Sequence, residues 1–467
     1  MNDRSKKQVV VVGAGITGLA AAWELSKSGQ VHVTVIDKDD RVGGKISSND
    51  MDLDAGPDGF IARGAPAIEL CNELGLSEDL VSPKSSGAFI LTQHKLRKLP
   101  GGLFMGIPSN LRSIALSKII SYKGLVRAAL DLLRPATSIG DDISVYDFIA
   151  SRLGVEICEN LVEPLLGGIH AGNAHQLSMK EVAPFIVNNY KRSLIMDLSK
   201  IRSKAPSPPG PAFTTVKGGL YNLPLSLYRA LVSKNNVTFM LGTQALRAKG
   251  STLTLDNSQT VQFDSLLLAT PAWATKNFVN ADIAARLNSI SYASVGVVSF
   301  EIPRIDLPEA TGFLVPPREG YLITAATWLS NKWPYFDNSK TYLRASIGKI
   351  DNTHWQELSD SHLIDQAYMQ LRQATLSLGV ELPVSPRQAC VTRWVDALPQ
   401  YNVGHRKLIE AISPSQGVFL AGAYLNGVGV PACIESGREA ARTILDTLDL
   451  TPTLRQGDCG RSSFNNS

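Results

Sequence analysis

A glycine-rich turn between two short apolar strands constrains the fold of this chain more than any other feature. Residues 9–12 are all valine, and the next six, 13–18, read GAGITG. A stretch of helical character follows, and a second apolar run, Val31–Ile36, ends at Asp37, 19 residues after Gly18. Gly-x-Gly-x-x-Gly between a strand and a helix, followed at this spacing by an acid, predicts a dinucleotide site in a Rossmann-like fold.

Each residue of this fingerprint has a physical task. Gly13 makes the tight turn, Gly15 lets the backbone approach a pyrophosphate, and Gly18 lets helix and strand pack closely. The start of the helix offers free N–H groups and positive potential to phosphates, and Asp37 is placed to accept hydrogen bonds from ribose hydroxyls. The alternative is a glycine-rich turn in a sheet that binds no ligand.

Composition excludes several classes of function. The 467 residues are enough for two or three domains, and the net charge of 46 − 42 = +4 is too small to favour a nucleic-acid partner. No apolar run reaches 18 residues, and MNDRSKKQVV does not resemble a secretory signal. The five cysteines form no C-x-x-C pair and the seven histidines no H-E-x-x-H motif. We therefore expect a cytoplasmic protein without disulfides or a bound metal.

A second glycine pair follows Asp37 in Arg41-Val42-Gly43-Gly44-Lys45. It is either a solvated turn or a second phosphate clamp, in which two glycines permit close approach and a basic side chain adds charge. A plain NAD site does not need this extension. The two motifs together resemble the FAD-binding start of the flavin amine oxidase and porphyrinogen oxidase superfamily.

The segment GVGVPACIESG, residues 427–437, carries a sharper resemblance. Pro431 lies near the start of a predicted helix, whose N-terminus could face a flavin ring. The segment is similar to the C-terminal motif of the heme-pathway porphyrinogen oxidases, which are FAD enzymes. Four other motifs agree in order: GPDGFIAR (56–63), EPLLGGIHAGNAHQLSM (163–179), VKGGLYNLP (216–224) and ALPQYNVGH (397–405).

The pattern along the chain predicts an α/β fold, α+β overall. It comprises a discontinuous Rossmann-like FAD-binding domain, a mixed-sheet substrate domain and a helical part that could face a membrane. VQFDSLLLATP predicts one buried strand, and residues 433–447 predict the last helix. The expected divisions are FAD-binding parts at 1–77, 214–280 and 391–450, a helical substrate and membrane-facing region at 78–213, the sheet and helices of a substrate domain at 281–390 and a flexible tail at 451–467.

The resemblance implies which residues hold the cofactor, and it implies noncovalent FAD. Cys433, inside the predicted helix, is interpreted as a core residue rather than a flavin attachment point. The implied FAD contacts are Gly13, Ala14, Gly15, Ile16, Thr17, Gly18, Asp37, Lys38, Lys45, Gly56, Pro57, Asp58, Gly59, Ala245, Trp394, Val428, Gly429 and Val430.

The resemblance also implies a porphyrinogen substrate and O₂ as electron acceptor. Six electrons would leave the macrocycle in three hydride steps, giving H₂O₂. Arg63 matches a position near a propionate, and the Gly168 carbonyl could accept a pyrrole N–H bond. We assign no catalytic residue, and His170 is not assigned as a base. Coproporphyrinogen III, with four propionates, is favoured over protoporphyrinogen IX because the motifs look closest to the Gram-positive branch.

Three questions stay open at this stage. Residues 99–133 combine helical apolar spacing with Lys and Arg, which suits either a core helix or peripheral contact with the inner face of the cell membrane. The oligomeric state cannot be inferred. An amine oxidase, a carotenoid desaturase or a non-enzymatic escort protein of the GDI type would share much of this pattern.

Overall fold

The computed structural model describes residues 6–62, 65–136, 138–204 and 212–450, and its strands form five sheets. The strands are β1 (Lys7–Val12), β2 (Val31–Ile36), β3 (Phe60–Ile61), β4 (Leu80–Val81), β5 (Phe89–Thr92), β6 (Lys95–Lys98), β7 (Leu103–Phe104), β8 (Ile107–Pro108), β9 (Phe213–Val216), β10 (Val237–Met240), β11 (Ala245–Lys249), β12 (Thr252–Leu255), β13 (Thr260–Gln262), β14 (Ser265–Leu268), β15 (Tyr292–Pro303), β16 (Gly312–Leu314), β17 (Ile323–Trp328), β18 (Lys340–Ile347), β19 (Gln388–Pro399) and β20 (Val418–Leu420).

The α-helices pack on both sides of these sheets. They are α1 (Ile16–Ser26), α2 (Ala65–Glu73), α3 (Leu111–Ser117), α4 (Tyr122–Ala129), α5 (Val145–Leu153), α6 (Val155–Ile157), α7 (Glu163–His170), α8 (Met179–Val182), α9 (Pro184–Asn189), α10 (Leu194–Lys204), α11 (Asn222–Val232), α12 (Ala272–Thr275), α13 (Ala281–Asn288), α14 (Leu329–Lys332), α15 (Asp360–Leu376), α16 (His405–Glu410), α17 (Ala423–Asn426) and α18 (Val430–Thr447).

A five-stranded parallel sheet holds the predicted nucleotide fold. Its order is β10-β2-β1-β14-β20, so three separate stretches of the chain build it. The central strands β1 and β14 are apolar and buried, as expected for a parallel sheet covered on both faces. Helices α1 and α18 cross at Gly437, where a Cβ would lie 2.1 Å from the Thr17 carbonyl oxygen. The discontinuous Rossmann-like fold is confirmed.

The second large sheet has seven strands and is mixed. Its order is β19-β15-β18-β17-β16-β5-β6, with only the β16–β5 pair parallel. Strands β5 and β6 come from the region expected to be helical, and β19 runs on to Pro399. The edges of this sheet therefore do not coincide with the divisions expected at 78 and 391.

Helices α3 to α10 enclose a separate apolar core that includes Phe148, Leu161 and Ile186. Arg152 and Asp131 form a buried ion pair inside it, in which Arg152 Nε donates to Asp131 Oδ1 at 2.6 Å. The described residues contain no helix long and apolar enough to cross a bilayer.

Two local predictions were wrong. The segment VQFDSLLLATP contributes to two strands, β13 and β14, which belong to different sheets. Asp264 lies between them, and its carboxylate accepts a hydrogen bond from the Gln8 N–H at 2.7 Å. Helix α18 begins at Val430 rather than 433, since Gly429 is extended and Pro431 stands in the first turn, where its missing N–H costs nothing.

Candidate functional site

The glycine turn leaves open space at only one of its three glycines. A Cβ on Gly13 would lie 2.7 Å from the Ala269 carbonyl oxygen, and one on Gly18 would lie 1.9 Å from that of Gly13. At Gly15 the same construction meets no atom within 4 Å. Gly13 and Gly18 are therefore packing positions, whereas Gly15 borders free space at the start of α1. This geometry fits a pyrophosphate held by the first N–H groups of the helix.

Asp37 lies beside this turn at the end of β2. Its carboxylate accepts the Ala14 N–H at 2.6 Å and the Asp39 N–H at 3.0 Å. Burial raises the pKa of the Asp37 carboxyl, and these two hydrogen bonds oppose the shift. The acid is therefore fixed next to the phosphate turn, at a position suited to a ribose.

The adenosine end of the predicted site is assembled by a second long-range contact. The Thr243 N–H donates to the Asp37 carbonyl oxygen at 2.9 Å, and the Gly242 N–H to that of Asp39 at 2.9 Å. Ala245 follows two residues later as the first residue of β11. The fold thus brings Ala245 to the side of the site where Asp37 lies, while Lys38 is exposed nearby.

The second glycine pair lies directly against the first. The Gly43 N–H donates to the Ala14 carbonyl oxygen at 2.9 Å, and Gly15 and Gly43 form a parallel bridge. Arg41 Nη1 donates to the Gly44 carbonyl oxygen at 2.9 Å, so Arg41 shapes the turn. Burial lowers the pKa of Lys45, whose ammonium group lies near the Cys433 sulfur.

The loop Asp54–Gly59 closes the same space from the other side. A Cβ on Gly56 would lie 2.0 Å from the Lys45 carbonyl oxygen. Arg344 Nη1 donates to the Gly56 carbonyl oxygen at 2.8 Å, and Trp394 Nε1 donates to that of Ala55 at 2.9 Å. The predicted Trp394 thus contacts this loop through its indole nitrogen.

Asp58, a predicted FAD contact, is committed to protein partners. Its carboxylate accepts Lys332 Nζ at 2.8 Å and Trp333 Nε1 at 3.1 Å. The positive charges of Lys332 and Arg344 hold the pKa of Asp58 well below its usual range despite burial, whereas burial raises that of Asp54 to about 6. Asp58 therefore positions the loop, and a Cβ on its neighbour Gly59 would lie 2.9 Å from both the Thr214 carbonyl oxygen and the Trp333 ring.

The predicted flavin contacts at residues 428–430 lie where the turn before α18 leads into its first residue, Val430. The Cys433 sulfur lies 3.9 Å from the Gly427 carbonyl oxygen, and burial raises the pKa of the Cys433 thiol to about 11. Cys433 belongs to the buried core, as predicted. The Tyr401 hydroxyl donates to the Ala423 carbonyl oxygen, so the motif ALPQYNVGH contacts α17, the helix just before this turn.

Of the two substrate contacts predicted from the resemblance, the structure describes Gly168 but not Arg63. Gly168 lies on α7 and faces the seven-stranded sheet, with Leu314 3.8 Å from its Cβ position. His170 ends the same helix, and burial lowers its pKa to about 4. Gln400 Nε2 donates to the His170 carbonyl oxygen at 2.9 Å. Arg63 lies outside the described residues.

Sequence reasoning missed the residues that clamp the loop Asp54–Gly59 from the second sheet. Arg344, Lys332 and Trp333 are more than 270 positions away from their partners, and no local motif marks them. Among the residues that bind this loop from elsewhere in the chain, only Trp394 was named as a site residue, and that prediction came from the resemblance.

Comparison with known proteins agrees with this geometry. Residues 16–445 match the family described as flavin containing amine oxidoreductase. The chain is 33% identical to the coproporphyrinogen III oxidase of Bacillus subtilis (strain 168), over 96% of this chain and 100% of that protein. It is 31% identical to the coproporphyrinogen III oxidase of Staphylococcus aureus (strain NCTC 8325 / PS 47), over 95% and 100%. A crystal structure from Exiguobacterium sp. 255-15, provisionally named protoporphyrinogen oxidase, superposes with a TM-score of 0.83 at 30% identity, over 95% and 99%.

Proposed function

The chain belongs to the family of flavin containing amine oxidoreductases, and we propose that it is an FAD-dependent porphyrinogen oxidase of the heme pathway that converts coproporphyrinogen III to coproporphyrin III. The observation that carries this proposal is the end-to-end match to the named Bacillus subtilis oxidase. A shared flavin fold alone would not require similarity across the helical region and the seven-stranded sheet as well.

The reaction removes six electrons and six protons from the macrocycle. In the proposed balance, one porphyrinogen and three O₂ give one porphyrin and three H₂O₂. Bound FAD supplies the hydride acceptor and the route to oxygen. The protein's own part is to hold that cofactor at the turn around Gly15, to orient the macrocycle and to exclude water from the reacting carbon.

We propose that FAD is held noncovalently. The Cys433 sulfur lies beside the predicted flavin turn, 3.9 Å from the Gly427 carbonyl oxygen, and its raised pKa keeps it a thiol, which does not form thioether bonds readily. Acid precipitation of the protein should therefore release all flavin into the supernatant, and Cys433→Ala should remain yellow. Flavin that stays in the washed pellet would contradict noncovalent binding.

Arg63 and Gly168 are the proposed substrate contacts. A guanidinium group suits a propionate carboxylate, and a helix face without side chains lets a flat macrocycle come close. Arg63→Ala should raise KM and leave the flavin spectrum intact, because the contact is remote from the reacting carbon. Loss of flavin with a normal KM would place Arg63 in the cofactor site instead.

We also propose a cytoplasmic enzyme that touches the inner face of the membrane through α3 and α4. Leu116, Tyr122 and Val126 are exposed there, Tyr122 at 81%, and Lys118 and Lys123 are exposed beside them. An apolar face flanked by basic residues suits an anionic lipid surface. Cosedimentation with phosphatidylglycerol vesicles that Tyr122→Ser abolishes would support this contact, and absence of binding would contradict it.

The deciding experiment is a fluorescence assay with both porphyrinogens. Oxidation of coproporphyrinogen III with three H₂O₂ per porphyrin is the expected result. A higher kcat/KM for protoporphyrinogen IX would assign the substrate suggested by the Exiguobacterium protein's provisional name. Turnover of amines alone would favour an amine oxidase, and a colourless protein would favour a non-enzymatic escort.

A further inference from the structure

A groove runs between helix α7 and the seven-stranded sheet, and the ion pair of Lys349 and Glu163 lines part of it. Helix α7 contributes Glu163, Gly167 and Gly168, β17 contributes Thr324, and the turn after β18 contributes Gly348 and Lys349. Lys349 forms an ion pair with Glu163. Among these residues, only Gly168 has a place in the proposed substrate site.

The groove stays open because α7 lacks side chains where it faces the sheet. A Cβ built on Gly167 meets no atom within 4 Å, and one on Gly168 meets only Leu314, at 3.8 Å. Two consecutive glycines in a helix reduce its stability, so a helix that carries them needs a packing or functional reason. Here no atom packs against the Gly167 position, and the space that remains in the groove is small, about 20 Å³.

The position of Lys349 is fixed by the turn that carries it. Gly348 has a φ of +97°, and a Cβ there would lie 2.6 Å from the Ser294 carbonyl oxygen. The Ile350 N–H donates to the Ala171 carbonyl oxygen at 2.8 Å, which ties the turn to the end of α7. The side chains of Lys349 and Glu163 are only 17% and 15% exposed, so the ammonium group lies inside the groove rather than in bulk solvent.

The Lys349 ammonium group pairs with Glu163 at the end of α7 opposite to His170, whereas the turn that carries Lys349 is tied to Ala171. His170, at the far end of α7, contacts Gln400, and the neighbouring Tyr401 contacts α17, just before the predicted flavin turn. Glu163 is seven residues from His170, which is about 10 Å along a helix at 1.5 Å per residue. A macrocycle with one meso carbon at the flavin would therefore extend its peripheral carboxylates toward Lys349.

We infer that Lys349 binds a rim propionate of the porphyrinogen, an inference that rests on the proposed function. An ammonium group has three N–H donors, so Lys349 can donate to Glu163 and to a propionate together. Glu163 then has two opposed effects: it holds the ammonium group in place, and its negative charge weakens the attraction for a second carboxylate. Removal of the Lys349 charge should thus raise KM, whereas removal of the Glu163 charge should not.

The test measures KM and kcat for coproporphyrinogen III in the flavin-loaded enzyme. Lys349→Met should raise KM about tenfold with kcat within about twofold of wild type, and Lys349→Arg should restore most of the affinity, since a contact far from the reacting carbon affects binding. Glu163→Gln should leave KM unchanged or lower it. Lys340→Met is the matched control, because Lys340 pairs with Glu301 at the other end of β18.

The Kd of coproporphyrin III, measured by quenching of its fluorescence, should follow the same order as KM. A KM within twofold of wild type in Lys349→Met would overturn the inference and leave the oxidase assignment standing. Equal rises of KM in Lys349→Met and Glu163→Gln would also overturn it, because the pair would then only hold α7 on the sheet. A wild-type enzyme that oxidises neither porphyrinogen would overturn both proposals.

Discussion

Lys332 Nζ lies 2.8 Å from Asp58 Oδ2, and this contact joins the loop of the nucleotide-binding half to the end of α14, which connects two strands of the seven-stranded sheet. Lys332 and Asp58 are 16% and 11% exposed, and the Trp333 indole N–H donates to the same carboxylate at 3.1 Å. A buried carboxylate with two donors keeps its charge. The contact therefore holds the loop Asp54–Gly59, which borders the predicted flavin space, against the end of α14.

Lys332→Met should lower the free energy of unfolding by about 3–5 kcal/mol, because it leaves Asp58 buried without its main counter-charge. Urea unfolding measures this change. Arg304→Met is the control: Arg304 and Asp306 are 49% and 94% exposed, and such pairs contribute about 0–1 kcal/mol. Equal losses of unfolding free energy in the two variants would show that the buried Lys332–Asp58 ion pair contributes no more to stability than an exposed pair.

Gly15→Ala and Gly18→Ala should affect different properties. Gly15 has φ −69° and ψ 173°, which alanine adopts freely, and its Cβ would enter open space. We expect normal stability of the apoprotein and FAD affinity reduced about tenfold or more, since the added methyl occupies the approach of the pyrophosphate. Gly18→Ala should cost about 1–3 kcal/mol of stability through overpacking. Calorimetric titration with FAD separates the two, and unchanged FAD affinity in Gly15→Ala would refute the pyrophosphate assignment.

Asp37→Ala should weaken FAD binding by about 1–3 kcal/mol, the cost of leaving good hydrogen-bond donors unpaired. Asp37→Asn keeps an acceptor oxygen beside the Ala14 N–H and should lose less. Titration of apoprotein with FAD measures both variants. An affinity equal to that of wild type in Asp37→Ala would remove Asp37 from the cofactor site.

His170 should make the protein less stable in mild acid. Burial lowers its pKa from 6.5 to about 4 in the folded state, so the unfolded chain takes up a proton first as the pH falls. Stability from this residue is complete above pH 6.5 and is lost progressively down to about pH 4. Between pH 7.5 and 5 the wild-type protein should lose about 2 kcal/mol more stability than His170→Gln, because the other titrating groups are the same in both proteins. Parallel pH profiles for the two proteins would contradict the burial effect.

The nucleotide half of the fold follows from local sequence. The turn at residues 13–18 needs glycine where the backbone has a positive φ at Gly13 and where chains approach closely at Gly18, and the valines before it form a buried strand. These requirements involve neighbouring residues only, so they are visible in the sequence. The resemblance of five ordered motifs supplied the family and the porphyrinogen chemistry.

The layout of the rest depended on tertiary structure. Asp58 stays a predicted cofactor contact, but the sequence did not show that Lys332, 274 positions away, binds its carboxylate. Strands β5 and β6 joined a sheet made mostly of residues 292–399, and Lys349 met Glu163 across 186 positions. A short segment specifies its own turns, its hydrophobic periodicity and the caps of its helices. The partner of a charged side chain, in contrast, depends on how the two large sheets and the helices pack against one another. That packing is a property of the whole chain, and it decides which charges neutralise each other and which face the substrate.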